Sequence, residues 1–513
     1  MNPHSHTPDW IRRSVGFSPC EQASPTRAWA KAHTTGHTER PNRREALWQI
    51  GGGFGGIALA GLLTQEGLLA DDAPLMRSVG LHHPAQAKSV IQLFMNGGAS
   101  QMDTFDYKPE LDRRHGQAFD PGNGVHVEAA TSVPGKVMKS PFPFQQYGES
   151  GRWVSSVFPH VARHVDDLAF VMSMQSRTNV HGPASYLMNT GSLLPGFPCL
   201  GSWVSYGLGR LTDDLPTFVV LPDPRGLPYN QKGNFSAGFL PVAHTGTTLN
   251  MAAASPINDL LPPVEAKQIT SASEREGLDL LRELNTRHLA EYPGDTRLEA
   301  RISSYELAAK MQLAAPEAFD LTRESQPTHQ LYGIDDPVTS DFGKRCLTAR
   351  RLVERGVRFV QLWSGAGGPS NNWDNHTDII NELPKVANAT DKPVAALLAD
   401  LKARGMLEDT LVLWSTEFGR MPFTQGATGR DHNGGTFTSW MAGAGVKPGV
   451  AVGESDPWSW KTGESKLTTY DFHATVLHLL GIDHERLTFR HNGANRRLTD
   501  VHGHVLREMV ESP

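Results

Sequence analysis

Five short apolar runs constrain this chain more than any other feature. They are Ser89–Met95 (SVIQLFM), Leu168–Met174 (LAFVMSM), Thr217–Leu221 (TFVVL), Val357–Trp363 (VRFVQLW) and Thr410–Trp414 (TLVLW). Near-continuous apolar runs of this length read as strands buried on both faces. Between them lie segments with apolar residues at helical spacing: Leu278–Leu289, Asp295–Leu313, Lys344–Arg355 and Asp391–Arg404. In the last, Val394, Leu397, Leu398 and Leu401 share one stripe. Strands interleaved with such helices imply the α/β class, with a mostly parallel sheet sandwiched by helices. No solenoid-period repeat and no long linker interrupts the pattern, so a single large domain is expected. At 513 residues the chain is long enough for one extensive core. Residues 222–275, rich in Pro, Gly and Asn, read as a loop excursion over the site face.

In open α/β sheets, ligands bind beyond the carboxyl ends of the strands. The residues that follow each run are therefore the candidates for chemistry. The first run is followed by Asn96-Gly97-Gly98-Ala99-Ser100-Gln101-Met102-Asp103-Thr104. After the fourth come Gly365-Ala366-Gly367-Gly368-Pro369-Ser370 and then Asn371-Asn372-Trp373-Asp374-Asn375-His376. The two stretches echo each other, each passing from Gln-Leu-aromatic into paired glycines and then to an acid. The fifth run ends on Glu417 and Arg420, with Asp431-His432 in the Gly-rich stretch beyond.

Together the loops offer Asp103, Asp374, His376, Glu417, Asp431 and His432 as ligands for a divalent metal (Zn, Mn, Fe or Ca). Arg420 is positioned to grip an oxyanion, and Ser100 or Thr104 to act as a hydroxyl nucleophile. Simpler roles compete at each position. An Asp in a Gly-rich loop is commonly a turn residue. Glu417 and Arg420 can pair with each other, and Asp103 can cap a helix. His181, after the second run, either lines the site or stabilises its loop. Asp471 reads as the N-cap of a helix ending near Gly481, which puts His473 in the first turn.

The net charge of -6 gives no electrostatic case for a nucleic-acid partner. Residues 1–40 lack any apolar period and read as a disordered extension. Within 41–70, Arg43-Arg44 precedes a Gly-rich apolar run from Ala46 to Leu63. That is the twin-arginine export pattern, with an uncleaved anchor and chance as the alternatives. The expectation is a periplasmic or secreted protein with no stable membrane span. Three cysteines occur, Cys20, Cys199 and Cys346. Removal of a leader leaves two, whose pairing spacing alone does not decide.

The stretches MNGGASQMDTFDYKPEL, WDNHTD, STEFGR with GRDHNGGTF, and DFHATVLHLLGIDHERLT resemble the alkaline phosphatase and sulfatase superfamily. More closely they resemble the DUF1501 family, over roughly residues 85–510. The resemblance implies an alkaline-phosphatase-like fold and a metal-dependent hydrolase of phosphate or sulfate esters, exported by the Tat translocase. Small-molecule or polysaccharide esters are the implied substrates. The superfamily's first metal-binding Asp falls at Asn96, which is then a substrate-binding candidate together with His181. Its nucleophile falls at Ser100 or Thr104. Its Asp-x-x-x-His element resembles Asp374 with His376 or Asp378. Its Asp-His-Gly resembles Glu417-Phe418-Gly419, with Phe418 in the histidine's place and Asp431-His432 available as the missing pair. His473 falls in the region of the final histidine ligand. Neither Cys-x-Pro-x-Arg nor Ser-x-Pro-x-Arg occurs, which argues against a formylglycine sulfatase mechanism. Asn96 and Phe418 favour the alternative of a degenerate relative that binds an anionic glycan or wall polymer without turnover.

Overall fold

The computed structural model describes residues 79–511, apart from 123, 125, 126, 128 and parts of 252–316. The extension 1–40, the twin-arginine segment and most of Asp295–Leu313 lie outside the described residues.

Each of the five apolar runs forms a strand. They are β1 (Ser89–Met95), β4 (Leu168–Gln175), β5 (Phe218–Leu221), β7 (Phe359–Ser364) and β8 (Thr410–Ser415). With β6 (Thr247–Thr248), β11 (Phe437–Ala442), β12 (Ala451–Val452) and β13 (Leu467–Thr468) they build a nine-stranded sheet. Its order is β12-β4-β11-β8-β1-β7-β5-β6, with β13 also on β4. The pairing is mostly parallel. The exception is β11, which runs antiparallel to both β4 and β8. Smaller hairpins pair β2 (Phe144–Tyr147) with β3 (Arg152–Ser155), β9 (Gly419–Gln425) with β10 (Gly429–Asn433), and β14 (Phe489–His491) with β15 (Ala494–Arg496).

The echo between the two Gln-Leu-aromatic stretches becomes physical alignment. In the parallel β1–β7 pair, Gln92 stands opposite Gln361, Leu93 opposite Leu362 and Phe94 opposite Trp363. Their two glycine-rich continuations therefore leave the sheet side by side. Gln361 donates through Nε2 to Gln92 Oε1 at 3.1 Å, so the matched amides satisfy part of each other's polarity in the core.

Side chains of β1 alternate between two large cores, as strand periodicity requires. Ile91, Leu93 and Met95 enter one, Val90 and Phe94 the other. Helices cover both faces. α1 (Pro109–Arg114), α2 (His181–Thr190), α3 (Leu200–Leu208), α4 (Ser271–Glu291), α5 (Gln326–Tyr332), α6 (Ser340–Glu354), α7 (Ile379–Ala403) and α8 (Thr469–Leu479) follow in chain order. α6 and α7 pack into the first core, and α2, α3 and α8 into the second. α7 begins twelve residues before the expected Asp391, carrying Pro384 and Pro393 inside it. Its N-cap, Asp378, accepts from Asn381 N, which starts the helix early enough to span both prolines. Asp471 is not the N-cap of α8. Thr468 is, and Asp471 completes a capping box by accepting from Thr468 N at 2.8 Å. Cys199 and Cys346 are both free and buried, one in each core on opposite faces of the sheet.

Candidate metal centre

The site assembles at the carboxyl edge of β1, β7 and β8. Gly97 and Gly98 leave β1 at positive φ. A Cβ on Gly97 would meet Asp374 N at 2.6 Å, and one on Gly98 would meet the Phe418 ring at 2.6 Å. The paired glycines thus let the loop after β7 and the end of β8 close in against β1.

Four side chains converge there. His181, Asp374, His376 and His432 each offer a ligand atom, all within 4.8 Å of one another. His181 is the first residue of α2, Asp374 and His376 follow β7, and His432 belongs to β10. Asp374 sits at the centre. Its Oδ1 lies 2.8 Å from His376 Nε2 and 3.2 Å from His432 Nε2. Its Oδ2 lies 3.2 Å from His181 Nε2, which is buried and makes no hydrogen bond. His376 Nε2 and His432 Nε2 are 2.7 Å apart.

The opposite ring nitrogens explain this convergence. His181 Nδ1 donates to Glu417 Oε1 at 2.7 Å. His432 Nδ1 donates to the Asn179 carbonyl at 2.8 Å. His376 Nδ1 is bonded to Gln425 Oε1. The Gln425 amide nitrogen donates to Thr131 Oγ1, which turns its oxygen toward His376. A carboxylate or carbonyl oxygen only accepts, so each Nδ1 carries the proton. In the neutral ring each Nε2 is then a bare lone pair. Imidazoles that ligate metals are typically held in this way from behind.

The electrostatics agree. Burial alone would raise the Asp374 pKa. Arg420 beside it and the three imidazoles outweigh that and hold it far below the carboxylate range. Burial pushes His432 down to about 4, helped by Arg420 and opposed by Asp374, so this ring is neutral near pH 7. Burial opposes the charged form of His181, but Asp374 and Glu417 on its two nitrogens raise its pKa on balance. With the rings neutral, three imidazole nitrogens and one ionised carboxylate form a donor set that fits a divalent ion such as Zn, Mn or Fe.

Aromatic rings wall the cluster. Tyr229 stacks on His181 with centroids 4.4 Å apart and planes 4° from parallel. Its hydroxyl donates to the Gly368 carbonyl at 2.8 Å and lies 3.4 Å from Asp374 Oδ2. The Phe418 ring lies 4.8 Å from both His181 and His432. Phe418 is thus a buried apolar wall against two of the rings.

The chain belongs to the DUF1501 family. The family model, described as a protein of unknown function, matches residues 87–510. No curated protein matches the chain. Among solved structures, the phosphonate monoester hydrolase SpPMH from Silicibacter pomeroyi is similar at 13% identity and a TM-score of 0.32, covering 69% of this chain and 72% of that one. The PsFucS1 sulfatase from Pseudoalteromonas sp. is similar at 14% identity and 0.32, over 78% and 68%. The lipoteichoic acid synthase LtaP from Listeria monocytogenes is similar at 11% identity and 0.31, over 79% and 76%.

Of the residues expected at the site, Asp374, His376 and His432 come together, and His181, expected as a substrate contact, lies in the same cluster. The others stand elsewhere. Glu417 is one layer back, with Oε1 taking Gly97 N at 2.8 Å and His181 Nδ1. Asp431 accepts from Thr131 N and Oγ1 and from Ser132 Oγ, so it anchors the loop that orients Gln425. Asp103 is fully buried and pairs with Arg430 Nε at 2.6 Å. Ser100 donates to Asp103 Oδ2 at 2.5 Å, and Thr104 Oγ1 donates to the Ser100 carbonyl at 2.8 Å. Both hydroxyls are buried and committed.

Arg420 is committed too. It donates to the carbonyls of Gly97, Gly98, Arg430 and Trp373 and to Asp374 Oδ1, with no exposed surface. That leaves no free fork for an oxyanion. Asn96 donates to the Gly365 and Ala366 carbonyls, and its buried Oδ1 has no partner. His473 is buried with Nε2 3.0 Å from the Met188 carbonyl, outside the cluster. Sequence reasoning missed Tyr229, Thr131 and Gln425. Tyr229 does fall in the expected 222–275 excursion, but nothing local marks it out from its neighbours.

Proposed function

We propose that this chain is an exported metal-dependent hydrolase of phosphate or sulfate esters, acting on small-molecule or polysaccharide substrates. The observation that carries the reading is the triple Nδ1 anchorage. Three imidazoles held by oxygen acceptors present Nε2 to one ionised carboxylate. His181, Asp374, His376 and His432 would hold the ion. When bound, a divalent ion there supplies Lewis acidity toward an ester oxygen and toward water.

The chain's own residues do the rest. Arg420 keeps Asp374 ionised and fixed in place. Glu417 holds the Nδ1 proton of His181, so that Nε2 faces the site. Tyr229 and Phe418 exclude water from one side, which strengthens electrostatic interactions in the cluster. Since Ser100 and Thr104 are committed within the core, the reading takes water as the nucleophile. Those committed hydroxyls also favour the second reading, a protein that binds an anionic glycan without turnover.

The Arg43-Arg44 segment supports export through the Tat translocase, which carries folded proteins and so suits a chain loaded with metal beforehand. Among the described residues no helix is long and apolar enough to cross a membrane.

Metal analysis of the purified full chain, followed by aryl phosphate and aryl sulfate esters as substrates, tests both readings. Near-stoichiometric Zn, Mn or Fe with turnover supports the hydrolase. Bound metal without turnover of any ester supports the binding protein. A folded, metal-free chain that takes up no divalent ion sinks the hydrolase and leaves only the binding protein.

A further inference from the structure

The loop that serves the metal centre also borders a cavity on its other flank. Asn179, whose carbonyl holds His432, and His181 itself lie two and four residues after Arg177. Arg177 lines a cavity of about 510 Å³ at the carboxyl ends of β4 and β13. It also lines a neighbouring cavity of about 240 Å³, and Tyr470 is common to both walls. The larger falls within the roughly 300–1,000 Å³ of small-ligand sites, and the two adjoin at Arg177 and Tyr470 as one grooved surface.

The groove is basic in a chain whose net charge is -6. Lys466 lines the larger part, and Arg496 and Arg497 the smaller. Arg497 pairs with Glu485 at 3.0 Å. Among the described residues, Arg177, Lys466 and Arg496 have no carboxylate within ion-pair distance, and all three are exposed. Arg177 donates to the Tyr470 hydroxyl at 3.4 Å. Two acids also line the groove, Asp471 and Asp500. Asp471 is occupied, accepting from Thr468 N and Oγ1 and from His504 N. Among the described residues, the three cations without ion pairs outnumber the two lining acids, which leaves the groove a positive field in a protein of opposite net charge. Leu194, 65% exposed, and Phe197 add apolar surface to the smaller part.

We infer that this groove binds an anionic polysaccharide, a chain with sulfate or phosphate groups repeated along a carbon framework. It would hold charged groups beyond the one that reaches the metal centre. The inference deepens the hydrolase reading by naming its substrate class, and it rests on that reading for the placement of the reacting ester. Spaced cations suit repeated anions, and the apolar surface of Leu194 and Phe197 suits the face of a sugar ring.

The test uses the full chain, with dextran sulfate oligomers as the probe and neutral dextran as the control. Dextran sulfate should bind, less tightly as ionic strength rises. The double variant Lys466→Ala/Arg496→Ala should bind about tenfold more weakly, with turnover of a small aryl ester unchanged. The Asp374→Asn variant should lose turnover and keep dextran sulfate binding, which separates failure of the hydrolase reading from failure of the groove. Equal binding by wild type and the double variant would overturn the inference, as would equal binding of neutral dextran. A single-stranded oligonucleotide of matched charge that bound as tightly as dextran sulfate would overturn the assignment to polysaccharide.

Discussion

Two buried ionic clusters lie at the ends of the same strands, and they differ in whether they close on themselves. Around Asp103, one carboxylate meets one guanidinium, and Ser100 supplies a further hydrogen bond. Arg430 gives its remaining donors to the carbonyls of Met421 and Met138. Charge and hydrogen bonds balance internally. Around Asp374, a single carboxylate faces Arg420 and three imidazoles, and His181 Nε2 is left without a hydrogen bond. A structural ion pair spends its valence on the protein. A ligand site keeps some in reserve, because burying an unsatisfied donor set costs stability unless something is gained from it.

The largest expected effect separates the two clusters directly. Chelation of the metal, or Asp374→Asn, should abolish ester turnover while circular dichroism still reports a folded chain. Unfolding on chelation would make the Asp374 cluster as structural as the Asp103 pair. Asp103→Ala should instead destabilise the fold by about 3–5 kcal/mol, because it leaves Arg430 buried and unpaired. Denaturant unfolding measures this, and metal content per folded molecule should not change.

A smaller effect tests the support behind the imidazoles. Gln425→Ala should weaken metal affinity about 10–100-fold, as loss of an outer hydrogen bond to a ligating histidine does. Competition with a chelator reads this out. Unchanged affinity would remove Gln425 from any role at the centre.

Next comes pH. Burial pushes His473 down to about 4 in the folded chain, against an ordinary value of 6.5. Between those values the unfolded chain binds a proton there that the folded chain does not. Stability should therefore rise with pH across that window and fall as the solution is acidified. His473→Gln should flatten the slope by up to one proton, since His432 contributes with the same sign. An unchanged slope would place the titration elsewhere. The smallest effect is expected from Ser100→Ala. It should cost about 1.5–3 kcal/mol of stability through one lost hydrogen bond to a charged group, and turnover should stay within a few-fold. Loss of turnover without loss of stability would restore Ser100 as the nucleophile.

Much of the frame was legible in the sequence, and the site only in part. All five apolar runs became strands of one sheet, since a buried strand is encoded by a local run of residues. Their carboxyl ends did carry the polar residues that cluster. Asp374, His376 and His432 were legible for that reason. Strand β11 was missed, although Phe437–Ala442 is buried throughout. Its Thr-Ser-Trp-Met-Ala sequence lacks a continuous apolar run, and its antiparallel pairing comes from neighbours far along the chain.

Sequence by itself determined five strands of the sheet, several of the helices between them, the family and the set of side chains delivered to one sheet edge. Only the tertiary structure decided which of those side chains share a point. Arg420 and Asp103 look as available as Asp374 in a linear reading. Packing spends the first on four carbonyls and a carboxylate, and closes the second on Arg430. His181, in a loop that admits two roles, becomes a donor because Glu417, 236 residues away, holds its other nitrogen. Hydrophobic runs are local and additive, so they can be read from the chain. The hydrogen-bonding partners of a polar side chain depend on which distant elements pack against it, and those are set only when the sheet closes.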